Sequence, residues 1–189
     1  MNIIGFAASP RKNGNTAWAV SQILEGAREQ GAQTRAFSAS ALDIKPCQGC
    51  LGCVQGGGCV MDDDMRQIYG ALQQADALVL GSPVYMGQMA AQAKIFTDRL
   101  FAQITPRFSP KFLEENAGKK LVLAFTQGNP NPELFRAYFD YTEKMFRLLE
   151  FDVRAVQVVA GTRGGPAEGQ AGLSAALKGL GASLCQAIT

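Results

Sequence analysis

Apolar and polar residues follow two rhythms along the chain, and the switches between them mark out its elements. Asn2 to Ala8 is a short run of β-branched and aromatic residues, the pattern of a strand buried on both faces. Thr16 to Gln30 then carries Trp18, Val20, Ile23, Leu24 and Ala27 at helical spacing, with Gly31 where a left-handed C-cap belongs. Gln33 to Ser38 alternates weakly and is predicted as a second strand, reached by a right-handed crossover. Asp62-Asp63-Asp64 starts a second helix: three acids suit the positive end of its dipole, and Met65, Ile68, Tyr69 and Leu72 supply its inner face. Asp76 to Gly81 is a fully apolar third strand, and 89–101 a helix with Met89, Ala93, Phe96, Leu100 and Phe101 inward. Lys119 to Phe125 is a fourth strand, 133–149 an amphipathic helix, Asp152 to Ala160 a fifth strand, and Gly164-Gly165-Pro166 introduces a last helix.

Strand alternating with helix five times predicts an α/β, doubly wound five-stranded parallel sheet, order 2-1-3-4-5, with helices on both faces. Residues 1–189 form one expected domain, long enough for a substantial core without disulfides. It carries a cysteine-rich insertion at about 40–61, a stretch with no period and five glycines. Ligands of such sheets bind beyond the carboxyl ends of the strands, where the order reverses. Three polar or glycine-bearing loops end there: 9–16, 82–87 and 126–132. The segment Gln103 to Gly118, with two prolines and two phenylalanines, is expected to lie over a ligand or a neighbouring subunit.

Composition narrows the chemistry. The net charge is only +2 and the basic residues are scattered, so neither nucleic acid nor an anionic membrane is indicated as a partner. No apolar run approaches the roughly 20 residues of a spanning helix, and the N-terminus enters a strand instead of a signal peptide; a cytoplasmic location is expected. The chain has no histidine, which excludes Ser-His-Asp and Cys-His mechanisms and His-ligated metal sites. Any chemistry therefore rests on cysteines, carboxylates or a borrowed cofactor.

The first loop, Ser9-Pro10-Arg11-Lys12-Asn13-Gly14-Asn15-Thr16, sets hydroxyls, amides and two cations before a helix N-terminus. Such a place binds an anion, most naturally a phosphate, with Asn15 or Thr16 capping the helix. Neither G-x-G-x-x-G after the first strand nor G-x-x-x-x-G-K-[ST] anywhere is present, which leaves a mononucleotide, FMN first. The run Cys47-x2-Cys50-x2-Cys53-x5-Cys59 lets a chain curled at Gly49 and Gly52 face several thiolates to one centre. An iron–sulfur cluster, a Cys₄ zinc, and reactive or disulfide-forming thiols without metal all fit that spacing. Cys185 stands apart and reads as a small buried hydrophobe.

Taken together, Ala8 to Thr16, the cysteine run followed by Val60-Met61-Asp62-Asp63-Asp64-Met65, and Gly81-Ser82-Pro83-Val84-Tyr85 with Lys94 and Asp98-Arg99 resemble the iron–sulfur flavoproteins. These sit within the NAD(P)H-dependent FMN reductase family of flavodoxin-like fold. The likeness is clear over residues 1 to about 100. It implies that Ser9, Arg11, Asn13, Asn15 and Thr16 hold the FMN phosphate and that Pro83, Val84, Tyr85, Met86 and Gly87 lie along the isoalloxazine. Thr126, Gln127 and Gly128 would complete the pocket, and Cys47, Cys50, Cys53 and Cys59 would ligate a [4Fe–4S] cluster. The implied activity passes electrons between NAD(P)H, a transient donor, or ferredoxin and an acceptor, in a homodimer or homotetramer. The catalytic group is then the flavin itself, with Tyr85 or solvent delivering protons. Two other readings stay open: a cluster-free NAD(P)H-dependent FMN, quinone or nitro reductase, and a non-catalytic flavin electron carrier or thiol redox sensor.

Overall fold

A computed structural model describes residues 1–55, 58–104 and 118–186. Five strands run parallel: β1 (Asn2–Ala7), β2 (Gln33–Ser38), β3 (Ala77–Tyr85), β5 (Lys120–Thr126) and β6 (Asp152–Val159); β4 (Gln88–Met89) pairs antiparallel with the end of β3. The order β2-β1-β3-β5-β6 is the expected one with that hairpin strand added. Helices α1 (Asn15–Arg28), α2 (Met65–Gln74), α3 (Ala91–Arg99), α4 (Arg136–Leu148) and α5 (Leu173–Leu184) cover it.

Because side chains alternate across a strand, a sheet covered on both faces needs strands that are apolar nearly throughout, and β1, β3 and β5 are so apart from Asn2, Ser82, Lys120 and Thr126 at or near their ends. One set of alternate residues, Ile4, Phe6, Leu78, Leu80, Leu121, Leu123 and Phe125, packs against α2, α3 and α4. There Phe6 stacks on Phe96 at 4.4 Å and Phe125 on Phe139 at 4.5 Å. The other set, with Ile3, Val79 and Val122, packs against Val20, Ile23 and Leu24 of α1 and Leu177 of α5. Helix α1 lies close because Gly5 and Gly81 present no side chain: a Cβ at Gly81 would stand 2.4 Å from the Val20 Cγ2. Helices α1 and α5 meet at backbone distance, since a Cβ on Gly26 would fall 2.0 Å from the Lys178 carbonyl and one on Gly181 1.8 Å from that of Ile23. Cys185 is half-buried beside this contact.

Several sequence expectations change. Strand β3 continues through the expected loop to Tyr85 and turns back at Met86-Gly87, both at positive φ as a two-residue type I′ hairpin demands. Helix α2 starts at Met65, and the three acids lie before it. Phe101, expected inward, is exposed. Of the segment 103–118, residues 105–117 lie outside the described residues. No helix among the described residues is long and apolar enough to cross a membrane.

Candidate functional site

The ends of β1, β3 and β5 lie side by side at one rim, with Ala7 opposite Gly81 and Pro83 opposite Thr126. Beyond them the chain is cross-tied. The Ala8 N–H donates to the Gly81 carbonyl at 2.8 Å, and the Thr16 and Thr126 hydroxyls share a buried hydrogen bond of 2.7 Å. The three loops thus form one structure instead of three separate surfaces.

In the first loop Ser9 is buried and its Oγ accepts the Arg11 N–H at 3.2 Å, while Arg11, Lys12 and Asn13 are exposed. Neither Asn15 nor Thr16 caps α1. The N-cap is Gly14, which offers no side-chain bond, and the first intrahelical bond is Trp18 N–H to Gly14 carbonyl at 3.1 Å. The N–H groups of Asn15, Thr16 and Ala17 therefore point out of an open helix end, the arrangement that receives an anion. The carboxamide of Asn15 is committed elsewhere: its Oδ1 accepts the Ala167 N–H at 2.9 Å.

The second loop is the β3–β4 hairpin. Ser82 Oγ accepts the Ala90 N–H and donates to the Pro83 carbonyl, each at 3.0 Å, and the Tyr138 hydroxyl accepts the Met89 N–H at 3.1 Å. These bonds fix the hairpin while leaving Tyr85 exposed and Met86 completely so. In the third loop Gln127 is 2% exposed, and its Nε2 donates to the carbonyls of Asn129 and Asn131. Its Oε1 is buried without a partner among the described residues, an acceptor suited to a ligand N–H.

A fourth loop, missed in the sequence, reaches the same rim. After β6, Thr162 donates through both its N–H and its hydroxyl to the Gln127 carbonyl, and a Cβ on Gly128 would stand 3.4 Å from that of Arg163. The signal was present in Gly161-Thr162-Arg163-Gly164-Gly165, a glycine-rich turn with a cation directly after a strand. With Arg11 and Lys12 it gives the rim a positive cast that favours a phosphorylated ligand.

The cysteines form a second place. Cys47, Cys50, Cys53 and Cys59 carry free thiols and all line one small crevice, with Arg99 in its wall. The chain curls as the spacing suggests: Gly49 and Leu51 take φ of 63° and 58°. The thiols share this crevice without converging on a point; among the described residues no three Cys, Asp or Glu side chains come together to hold a metal ion. At its base Asp63 and Arg99 form an ion pair with side-chain exposures of 0% and 1%. Burial raises the Asp63 carboxyl, but the Arg99 hydrogen bond and the N–H groups of Lys45 and Met65 outweigh it and hold the acid below its ordinary value. Burial likewise pushes the Tyr69 phenol up to about 12.

The family profile of the NADPH-dependent FMN reductases matches residues 1–186. The chain belongs to this family. Its curated relatives are iron–sulfur flavoproteins: one from Methanocaldococcus jannaschii is 39% identical over 99 residues, 52% of this chain and 51% of that one. A second from that organism is 32% identical over 142 residues, 75% of this chain and 70% of that one. The chain thus spans about half the length of the first of these relatives. Among solved structures, an NAD(P)H:quinone oxidoreductase from Methanothermobacter marburgensis superposes with a TM-score of 0.77 at 15% identity, over 100% of this chain and 99% of that one. An NADH:FMN oxidoreductase does so at 0.64 and 19% identity, over 97% of this chain and 87% of that one. These likenesses establish the flavodoxin-like fold.

Proposed function

We propose that the chain is an FMN-dependent oxidoreductase that takes electrons from NAD(P)H or ferredoxin and passes them to an acceptor, with a [4Fe–4S] cluster on Cys47, Cys50, Cys53 and Cys59. The observation that carries the flavin site is the open N-terminus of α1 in a rim cross-tied by Thr16 and Thr126. Ser9, Arg11 and Asn13, with the backbone N–H groups of Asn15 and Thr16 and the Thr16 hydroxyl, would hold the phosphate. Pro83, Val84, Tyr85, Met86 and Gly87 would line the ring system, and Thr126, Gln127 and Gly128 would close it. When bound, FMN supplies hydride and single-electron chemistry. The residues position it, shield one face, and aim hairpin and third-loop N–H groups where negative charge develops. With no histidine in the chain, protons come from solvent or the exposed Tyr85.

What supports the cluster is the shared crevice of four free thiols, a soft all-sulfur donor set, together with the name its relatives carry. Assembly as a homodimer or homotetramer is part of the same reading. Anaerobic purification with a visible spectrum and iron analysis tests it. Flavin bands over a broad absorbance and about four irons per chain are expected. Protein that neither contains nor takes up FMN overturns the whole reading. Flavin without iron after reconstitution selects the cluster-free reductase instead.

A further inference from the structure

We infer that Arg99 is the residue that positions the sulfur site and compensates its charge, an inference that rests on the cluster reading above. Its fork is spread over both stems of the cysteine loop. Nη1 donates to Asp63 Oδ2 at 2.5 Å and to the Lys45 carbonyl at 2.8 Å; Nη2 donates to Asp63 Oδ1 at 3.1 Å and to Cys59 Sγ at 3.5 Å. Lys45 precedes the first cysteine and Cys59 is the last, so one buried guanidinium touches the loop where it leaves and where it returns. Asp63 completes the brace by accepting the N–H groups of Lys45 and Met65, and Asp64 adds a rung by accepting that of Asp43.

A brace for stability alone does not require this arrangement, because a buried ion pair is often matched by well-packed apolar residues. Two features point to the sulfurs. One donor is already aimed at Cys59, and Nε is buried without a partner among the described residues in a side chain that lines the same crevice. Lysine has the charge but not the planar fork that reaches carboxylate, carbonyl and sulfur together. One-electron reduction of a thiolate-bound cluster held here, by an external electron donor, would form and break no bond to the protein and would add one negative charge beside this guanidinium. Hydrogen bonds to the sulfurs and nearby positive charge raise the potential of such centres. Helix α3 connects this place to the flavin rim: its N-terminal neighbour Ala90 is bonded to Ser82 and Pro83, and Arg99 ends it about 13 Å away at 1.5 Å per residue.

The test compares wild-type, Arg99→Lys and Arg99→Gln full-length proteins after anaerobic reconstitution, with FMN content and circular dichroism as checks of folding. Dithionite titration followed by visible and electron paramagnetic resonance spectra reads the midpoint potential of the iron centre, and iron analysis its occupancy. The potential of Arg99→Gln is expected to move negative, with Arg99→Lys between it and wild type and flavin content unchanged in both. Should Arg99→Gln fail to fold, the negative shift in Arg99→Lys decides. Iron-loaded variants that titrate at the wild-type potential overturn this inference alone. Wild-type protein that takes up no iron overturns the cluster reading first and this inference with it.

Discussion

The hydroxyl oxygens of Thr16 and Thr126 lie 2.7 Å apart although the residues are separated by 110 positions in the chain. One proton occupies the bond between them, so the other hydroxyl proton can be donated toward the rim. Replacing either residue by valine strands a buried hydroxyl, a loss of about 1–3 kcal/mol, whereas replacing both removes the pair and costs less than the sum. A double-mutant cycle in urea unfolding measures that difference. Thr16→Val is also expected to weaken FMN binding about tenfold, the value of one charge-assisted hydrogen bond, and more than Thr126→Val does. Additive unfolding energies would show that the two hydroxyls are not coupled.

The backbone contact of α1 with α5 sets the angle at which the open helix end meets the rim. Gly26→Ala would place a methyl carbon 2.0 Å from a carbonyl that belongs to a rigid helix, so the helices must separate. A loss of about 3 kcal/mol is expected from overpacking at this site, with reduced flavin retention. Gly179, exposed on the partner helix α5 with nothing within 4 Å of its added Cβ, is the control. Gly179→Ala should gain about 0.5–1 kcal/mol, and thermal unfolding of the two variants makes the comparison.

Most of this architecture is written locally in the chain. Gln33 to Ser38 was legible as a strand to the residue, and the continuous apolar runs at β1, β3 and β5 announced a sheet buried on both faces. What was not legible depends on partners distant in sequence. Three acids in a row suit a helix start, and nothing near them reveals that Asp63 is buried against Arg99 or that Asp64 ties down Asp43. Asn15 and Thr16 are good capping residues by type, but tertiary partners took both side chains. The hairpin at Met86-Gly87 escaped because methionine is a poor residue for a left-handed position, where Asn-Gly would have signalled the turn.

That mismatch at Met86 is itself informative. Its φ of 49° carries the left-handed penalty, and a fully exposed side chain has no packing to offset it. Met86→Asn, better suited to the conformation, is expected to raise unfolding stability of the flavin-free protein by about 1 kcal/mol. If Met86 lies along the flavin, the same change weakens FMN binding. Isothermal titration with FMN alongside chemical unfolding reads both effects; a gain in stability with unchanged flavin affinity would remove Met86 from the binding surface.

The ion pair at the base of the cysteine loop makes stability depend on pH in a definite direction. Asp63 titrates below its ordinary value of 3.8 in the folded chain, so its contribution is fully present above that value and is lost as pH falls through the lower folded one. Asp63→Asn removes the titration and leaves the Arg99 charge buried without its carboxylate, which at neutral pH should cost about 3–5 kcal/mol. The gap between wild type and variant should therefore be constant from neutral pH down to about 4 and shrink below it, because acid abolishes in the wild type what the substitution has already removed. Urea unfolding of both proteins across that range measures the gap. A difference that stays the same size below pH 3.8 would mean that Asp63 does not hold its proton affinity down in the folded state, and the brace between Lys45, Asp63 and Arg99 would have to be redrawn.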